Sequence, residues 1–213
     1  RSSSISIENS TFQNLYFLNE LQLHAGQLVN IDSSSFSKLA RLELLTLTFE
    51  NLKAIKCNQF NDLTNLKWLN LNKNLIKSIE MNSLQDLGML ERFLLRFNHL
   101  RKIKKYYFCD LNNLIELDVS FNRINKIERN SFQKLVKLKR LNIEYNNLKR
   151  LNSEQFTGLR NLNELILNHN KIRHLEANIF GKLNSLQKLD LNQNRLNFIK
   201  NNQFESTFML ECL

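Results

Sequence analysis

The residue types that most often carry chemistry form no catalytic or metal-binding pattern in this chain. None of the four histidines stands at metal-ligand spacing to another histidine or to a cysteine, and only His169 and His174 are near each other. The sequence has no G-x-S-x-G nucleophile elbow, no phosphate-binding P-loop and no H-E-x-x-H zinc motif. We therefore expect no catalytic residue, no metal ion and no cofactor, and we interpret the histidines as solvated surface residues.

The overall composition is basic. Among 213 residues, 30 Lys and Arg stand against 20 Asp and Glu, which gives a formal net charge of +10. That charge favours anionic partners without identifying one. Apolar residues make up 42% of the chain and charged residues 23%, which excludes a disordered chain, and the apolar runs are too short for a membrane span. With only 4 Gly and no Pro, the turns must be made by other residues.

The elements that position these side chains follow from a strict repeat of 24 residues. Counting from Leu66 in steps of 24 reaches a leucine at every mark without an insertion. The marks are Leu18, Leu42, Leu66, Leu90, Leu114, Leu138, Leu162, Leu186 and Leu210. Positions 1, 4, 6, 11, 14, 19 and 22 of a unit are apolar. Asparagine occupies position 9 in six successive units, whereas Gly26 and Glu50 stand there in the first two.

This pattern resembles the leucine-rich repeat, L-x-x-L-x-L-x-x-N-x-L, over nearly the whole chain. The unit length and the Phe at position 19 resemble the typical subclass, found mostly in extracellular eukaryotic proteins such as Toll-like receptor ectodomains. The resemblance implies an α/β solenoid: a curved horseshoe with a parallel β-sheet on its concave face and loops or short 3-10 turns on its convex face. We expect one array over residues 1–213, with a partial unit 1–17, eight full units 18–209 and the start of another at 210–213.

Strand and side-chain geometry lead to the same architecture. Apolar residues at positions 4 and 6 predict a short strand with one face inward, and identical strands stack about 4.8 Å apart. An asparagine amide both donates and accepts, so position 9 is expected to hydrogen-bond its own and neighbouring turns. Glu50 cannot donate, which predicts a break in this polar ladder at the second unit.

The cysteines and the chain ends leave several alternatives open. Cys57 and Cys109 lie two units apart, about 10 Å at the spacing of stacked strands, which is beyond disulfide reach. Cys212 is either an idle thiol or pairs outside this sequence or between chains. Neither end carries the Cys-rich cap usual in leucine-rich repeat ectodomains, so we expect either that the parent protein extends in both directions or that the ends pair with another partner. The one sequon, Asn9-Ser10-Thr11, marks Asn9 as a glycosylation candidate.

Positions 2, 3, 5, 7 and 8 of each unit are expected to face the concave solvent, so their identity is informative. There Trp68, the only tryptophan, lies among apolar side chains of adjacent units and beside an arginine. Such a patch is typical of a protein-binding hot spot. The predicted ligand-binding residues are Leu44, Phe49, Trp68, Arg92, Leu94, Phe97, Phe121 and Tyr145. Alternatively, the aromatic residues at position 8 only pack along the rim of the sheet.

A second surface follows position 9, where positions 10, 12 and 13 hold Lys and Arg without any Asp or Glu. The predicted polyanion-binding residues of this basic edge are Arg101, Lys102, Lys104, Lys105, Lys126 and Arg150. A charged stripe attracts glycosaminoglycan, phospholipid head groups or nucleic acid. We do not expect nucleic acid, because the aromatic residues lie on a different face. The alternative is an ordinary solvated edge.

Together these features favour a non-enzymatic protein-recognition module of an extracellular leucine-rich repeat protein or receptor ectodomain. The families it resembles imply a secreted or cell-surface location and a role in innate immunity or cell adhesion. The alternatives are an intracellular leucine-rich repeat scaffold and a matrix protein that binds glycosaminoglycan through the basic edge. A homo- or heterodimer is compatible with either, and membrane attachment would need segments outside this sequence.

Overall fold

The computed structural model describes residues 5–9, 11–24, 26–199, 201–204, 207 and 209–212. They form a solenoid in which each turn of the chain contributes one short strand to an eight-stranded parallel sheet. In the described part, the strands in chain order are β1 (Ile5–Ile7), β2 (Glu20–Leu23), β3 (Leu28–Ile31), β4 (Leu44–Leu47), β5 (Ala54–Ile55), β6 (Trp68–Asn70), β7 (Ser78–Ile79), β8 (Arg92–Leu94), β9 (Lys102–Ile103), β10 (Glu116–Asp118), β11 (Lys126–Ile127), β12 (Arg140–Asn142), β13 (Glu164–Ile166) and β14 (Lys188–Asp190).

The register of the large sheet confirms the predicted repeat. Its strand order is β2-β4-β6-β8-β10-β12-β13-β14, so consecutive units are always neighbours. Leu69 pairs with Phe93, and Phe93 with Leu117, each 24 residues further along the chain. These position-4 side chains are buried, as one-sided strands require. Side chains one unit apart therefore occupy adjacent rungs, and both predicted surfaces rest on this register.

A second set of short strands follows position 9, and the sequence did not indicate it. β9 pairs with β11 in parallel, bringing Lys102 opposite Lys126 and Ile103 opposite Ile127. β5 pairs with β7, and β1 with β3, in the same way. The basic edge is consequently built on extended, in-register backbone, which places its side chains in columns along the solenoid.

The asparagines at position 9 form the predicted polar ladder. The Asn122 amide nitrogen donates to the carbonyl oxygens of Leu95 and Val119, at 2.9 and 3.1 Å, while its oxygen accepts from the Leu100 amide at 2.9 Å. The other five asparagines repeat this pattern. Glu50 accepts a hydrogen bond equivalent to the one that each asparagine oxygen accepts, from the Leu28 amide to its Oε2 at 2.8 Å. The break predicted at Glu50 is therefore confined to the donating half of the ladder.

The turns are made by backbone in the left-handed region at two positions that the sequence reading missed. Seven successive units have position 8 at φ between 51° and 60°. Position 17 is also left-handed in several units, at Ser34, Asn58, Asn82, Asn130 and Asn178. Asparagine adopts this conformation more readily than most residues, which suits it to position 17, whereas position 8 is left-handed without any Asn in these units.

The convex side is packed by the phenylalanines at position 19, as predicted. Phe36 stacks on Phe60 with ring centroids 6.1 Å apart, and Phe108 on Phe132 at 6.2 Å. All four rings are buried, so they fill the wider side of each coil. The helical content of the described residues is two 3-10 turns, Ser153–Phe156 and Asn201–Gln203. Among those residues no helix is long and apolar enough to cross a membrane.

Candidate functional site

The predicted apolar patch lies on the concave face of three adjacent strands. Leu44 on β4 is paired with Trp68 on β6, and Trp68 with Arg92 on β8. The Arg92 guanidinium carbon lies 5.0 Å from the centroid of the Trp68 ring, a cation–π contact. Leu94 lies on the same strand as Arg92, and it is half-buried like Leu44 and Trp68. We call Leu44, Trp68, Arg92 and Leu94 the concave patch; the register brings all four together.

The position-8 side chains form a continuous stack along one rim of the concave face. We call Phe97, Phe121, Tyr145 and His169 the aromatic ladder. Its successive ring centroids are 4.3, 4.3 and 4.0 Å apart, with interplanar angles of 23°, 13° and 11°. Because the rings cover one another's faces, the ladder presents mainly ring edges to solvent. This stacking agrees with the alternative interpretation, in which the aromatic residues at position 8 pack along the rim of the sheet. Their ring edges nevertheless remain accessible to solvent.

Two cations, Lys73 and Arg96, lie against the rings of this rim. The Lys73 ammonium lies 4.1 Å from the Phe49 ring centroid and 5.8 Å from that of Phe97, so it bridges a gap in the aromatic run. The Arg96 guanidinium lies 5.6 Å from Phe97 and 5.5 Å from Phe121. The expectation that cations and aromatic residues lie on separate faces therefore fails on this rim, and on the basic edge it fails at Lys104, which contacts Tyr106.

A ladder of opposite charges crosses the sheet at position 3, which the sequence analysis did not assign. Glu116 Oε2 lies 3.7 Å from Arg92 Nε, and Glu116 Oε1 lies 3.7 Å from Arg140 Nε. Arg140 also pairs with Glu164 through its terminal nitrogen. The signs alternate from unit to unit, and this alternation was the signal that could have revealed the pairing. Arg92 thus belongs both to the concave patch and to this charge ladder.

Asp118 lies beneath these side chains and is almost fully buried, at 6% exposure. Its Oδ1 accepts from the Ser120 amide at 2.9 Å, and its Oδ2 lies 3.6 Å from Arg96 Nε. Burial raises the pKa of the Asp118 carboxyl, while the Ser120 hydrogen bonds and the Arg96 charge oppose that rise. The sequence placed Asp118 on the concave face without indicating that it would be buried there.

The basic edge is exposed as predicted for five of its six residues. The side chains of Arg101, Lys102, Lys105, Lys126 and Arg150 are exposed to solvent. Lys104 differs, because its ammonium donates to the Tyr106 hydroxyl at 3.0 Å and lies 5.4 Å from that ring. That hydrogen bond raises the pKa of Lys104. Lys104 is therefore held against a tyrosine, whereas the other five side chains extend into solvent.

The remaining candidates are isolated. Cys57 and Cys212 are exposed free thiols, and Cys109 is a half-buried one whose pKa is raised by burial and then by Asp110. Asn9, the glycosylation candidate, is exposed. Among the described residues, no group of three or more His, Cys, Asp and Glu side chains is arranged to hold a metal ion.

Comparisons with known proteins agree with this geometry. A family model described as leucine rich repeat matches residues 41–100, 89–148 and 137–196. A structure of the TLR13–ssRNA13 complex superposes with a TM-score of 0.90 at 31% identity, covering 97% of this chain and 30% of that one. An internalin (InlF) from Listeria monocytogenes shares the fold at 24% identity and a TM-score of 0.63, covering 96% of this chain and 63% of that one. No curated protein sequence matches the chain.

The chain therefore spans less than a third of the TLR13 chain and less than two thirds of the internalin chain.

Proposed function

Because the chain belongs to the leucine-rich repeat family, we propose that it is a non-enzymatic recognition module that binds a protein on its concave face. The observation that carries this proposal is the concave patch. Its tryptophan and two leucines are only half-buried, its arginine is exposed, and all four stand in adjacent rungs. Tryptophan and arginine dominate protein-binding hot spots, because each combines a large contact area with a specific polar or aromatic interaction.

The sheet also holds this patch ready for binding. Leu45, Leu69 and Phe93, on the same three strands, point inward and are fully buried, which fixes the outward side chains between them. The Arg92 contact fixes the tryptophan ring further, and Glu116 fixes Arg92. A ligand therefore meets side chains that are already ordered, which lowers the entropy lost on binding.

The proposed location is extracellular, in a secreted protein or a cell-surface ectodomain. Similarity to TLR13 and the 24-residue unit with Phe at position 19 support this location, and they make innate immunity or cell adhesion the favoured setting. An intracellular scaffold that uses the same concave patch is the alternative. The class of bound proteins separates the two, because an ectodomain would select secreted or surface proteins.

The test is a binding screen of the whole chain against a panel of secreted and cell-surface protein domains. Trp68→Ala should weaken every specific interaction by more than about 1 kcal/mol, roughly fivefold or more, because it removes the centre of the patch. Tyr16→Ala is the matched control, since Tyr16 is exposed at 52% and lies outside the concave strands. Equal affinities for both variants, at equal melting temperatures, would exclude the concave patch as the site.

A second candidate function is binding of single-stranded RNA on the same face. It is favoured by the similarity to TLR13 in a complex with ssRNA13 and by Lys73 and Arg96, which bring positive charge against the aromatic side chains. We rank it second, because the stacked rings of the aromatic ladder leave few faces free for bases. Fluorescence anisotropy with a labelled RNA oligonucleotide tests it. Saturable binding at physiological salt that Lys73→Gln weakens would place RNA first.

A further inference from the structure

A column of like charges runs along the basic edge at position 13. Lys102 on β9 stands opposite Lys126 on β11, and Arg150 forms the bridge to the next unit at His174. We call Lys102, Lys126 and Arg150 the basic column. Adjacent rungs of a sheet are about 4.8 Å apart, and like charges at that distance repel. Within the described residues none of the three forms an ion pair, so no salt bridge offsets this repulsion.

Neighbouring side chains add to the same field. An open depression of about 850 Å³ lies beside the column, and Lys105, Lys126, Lys149 and Arg150 line it. Two acids lie nearby. Glu154 pairs with Arg129 at 2.9 Å, whereas Glu128, which also lines the depression, accepts from the Lys105 backbone amide at 3.1 Å and keeps its negative charge. Lys105, Lys126, Lys149 and Arg150 outnumber this one carboxylate, so the depression carries a net positive charge.

A histidine next to this edge responds to the charge around it. His99 stands at position 10 and is half-buried. Burial lowers the pKa of His99, and the nearby charges of Arg123 and Lys77 lower it further. The two cations thus act on His99 in the same direction as its burial does, as expected beside a surface with a net positive charge.

We propose that the basic column binds a sulfated polysaccharide that lies along the solenoid axis and places successive sulfate groups against successive rungs. The repeat supplies one cation per rung on a straight line, which matches a linear polymer with regularly spaced anions better than a compact ligand. The depression widens this line, so that Lys105 and Lys149 reach the same chain from its side. This surface is separate from the concave patch, and the inference does not rest on the proposed protein ligand.

Two observations favour a polysaccharide over other polyanions, and a third favours this edge over the concave face as its site. The residues that line the depression include no aromatic side chain, so bases would find no stacking surface there. The isoleucine among them, Ile127, is buried, so a lipid bilayer would find no apolar group to insert beside the cations. On the concave face, by contrast, the arginines of the charge ladder are already paired with carboxylates and would have to release them.

The test measures heparin binding by the whole chain as a function of salt concentration. The column variant Lys102→Gln, Lys126→Gln, Arg150→Gln should bind heparin at least tenfold more weakly at physiological salt. Its plot of log affinity against log salt should be shallower, because fewer counterions are exchanged. The matched control is Lys38→Gln, Lys134→Gln, Arg160→Gln, which removes the same charge from exposed cations outside the basic edge. Its affinity should stay within twofold of the unmodified chain.

Two further probes identify the source of the anions. De-N-sulfated, de-O-sulfated heparin should bind at least tenfold more weakly than heparin, and Trp68→Ala should leave heparin binding unchanged. Equal losses in the column and control variants would overturn the proposal, since binding would then follow net charge alone. Binding of single-stranded RNA that is as tight as that of heparin, and equally sensitive to the column variant, would assign the surface to nucleic acid instead. Both triple variants should melt within a few degrees of the unmodified chain.

Discussion

The concave face and the basic edge use cations from the same repeat in opposite ways. On the concave face, Arg92 and Arg140 share Glu116 between them. On the basic edge, Lys102 faces Lys126 with no carboxylate in the column. The difference arises because position 3 alternates in sign from unit to unit, whereas position 13 repeats one sign over three units. In a stacked coil, the order of charges at one position decides whether they neutralise one another or accumulate.

This difference separates what the two surfaces can do. The paired arginines of the concave face are held in place and suit a specific, ordered contact with a protein. The unpaired cations of the basic edge suit a mobile, highly charged polymer whose binding depends on salt. This difference can be tested at the junction between the surfaces, at the paired and unpaired cations, and at the buried carboxylate of Asp118.

The largest effect is expected at the junction. Asn122→Ala removes the amide that joins the concave strand to the turn leading to the basic edge, and it leaves Leu95 and Val119 carbonyls and the Leu100 amide without this partner. The Leu95 and Val119 carbonyls keep the hydrogen bonds donated by Asn98 and Asn146, and each loses one bond worth about 1 kcal/mol. The buried Leu100 amide left unsatisfied costs about 1–3 kcal/mol more, so the free energy of unfolding should fall by several kcal/mol in urea titrations. The control is Asn125→Ala, an exposed asparagine of the same unit. Similar losses of unfolding free energy in both variants would contradict the structural role of the asparagine hydrogen-bond ladder.

Substitutions that remove a single charge should change the free energy of unfolding by less, and in opposite directions on the two surfaces. Arg140→Gln should lower the free energy of unfolding by less than about 1 kcal/mol, because it breaks partly exposed ion pairs. Lys126→Gln should raise it slightly at low salt, because it relieves repulsion with Lys102. Added salt should shrink both differences. Chemical denaturation at two ionic strengths measures them, and a loss of stability in Lys126→Gln would mean that the column is already compensated.

The smallest effect is expected at Asp118. Because its pKa is raised by burial, the folded state holds the Asp118 proton more tightly than the unfolded state does. Its contribution to stability is therefore complete below the ordinary carboxyl pKa of about 4 and is lost as pH rises through the higher pKa of the folded state. Asp118→Asn should melt at an equal or slightly higher temperature at neutral pH, within the roughly 2–4 °C that 1 kcal/mol represents in a chain of this length.

The gap between Asp118→Asn and the unmodified chain should close as the pH approaches 4, where both side chains are neutral. Asparagine fits this position, because Asn142 accepts the equivalent hydrogen bond from the Glu144 amide in the next unit. Thermal melts across this pH range give the result. A difference that instead widens on acidification would show that the Asp118 carboxylate stabilises the fold.

Much of the fold could be predicted because one periodic pattern fixes it. The spacing of Leu69, Phe93 and Leu117 gives the register, and the repeated asparagine gives the hydrogen-bond ladder. The backbone turns were harder, since nothing in the sequence marks Phe97 or Tyr145 as left-handed. Aromatic side chains rarely adopt that conformation on their own, and here the coil on either side imposes it.

The sequence by itself determined which residues share a face, because a repeat without insertions turns spacing along the chain into distance between rungs. It therefore predicted that Trp68 and Lys126 lie outside the core, as observed, although it did not predict that Asp118 is buried. Only the tertiary structure decided which neighbours within a face engage one another: Arg92 with Trp68 and Glu116, Lys104 with Tyr106, and Asp118 with Arg96. Such pairings depend on side-chain direction and on burial by the next rung, and the repeat period of the sequence determines neither.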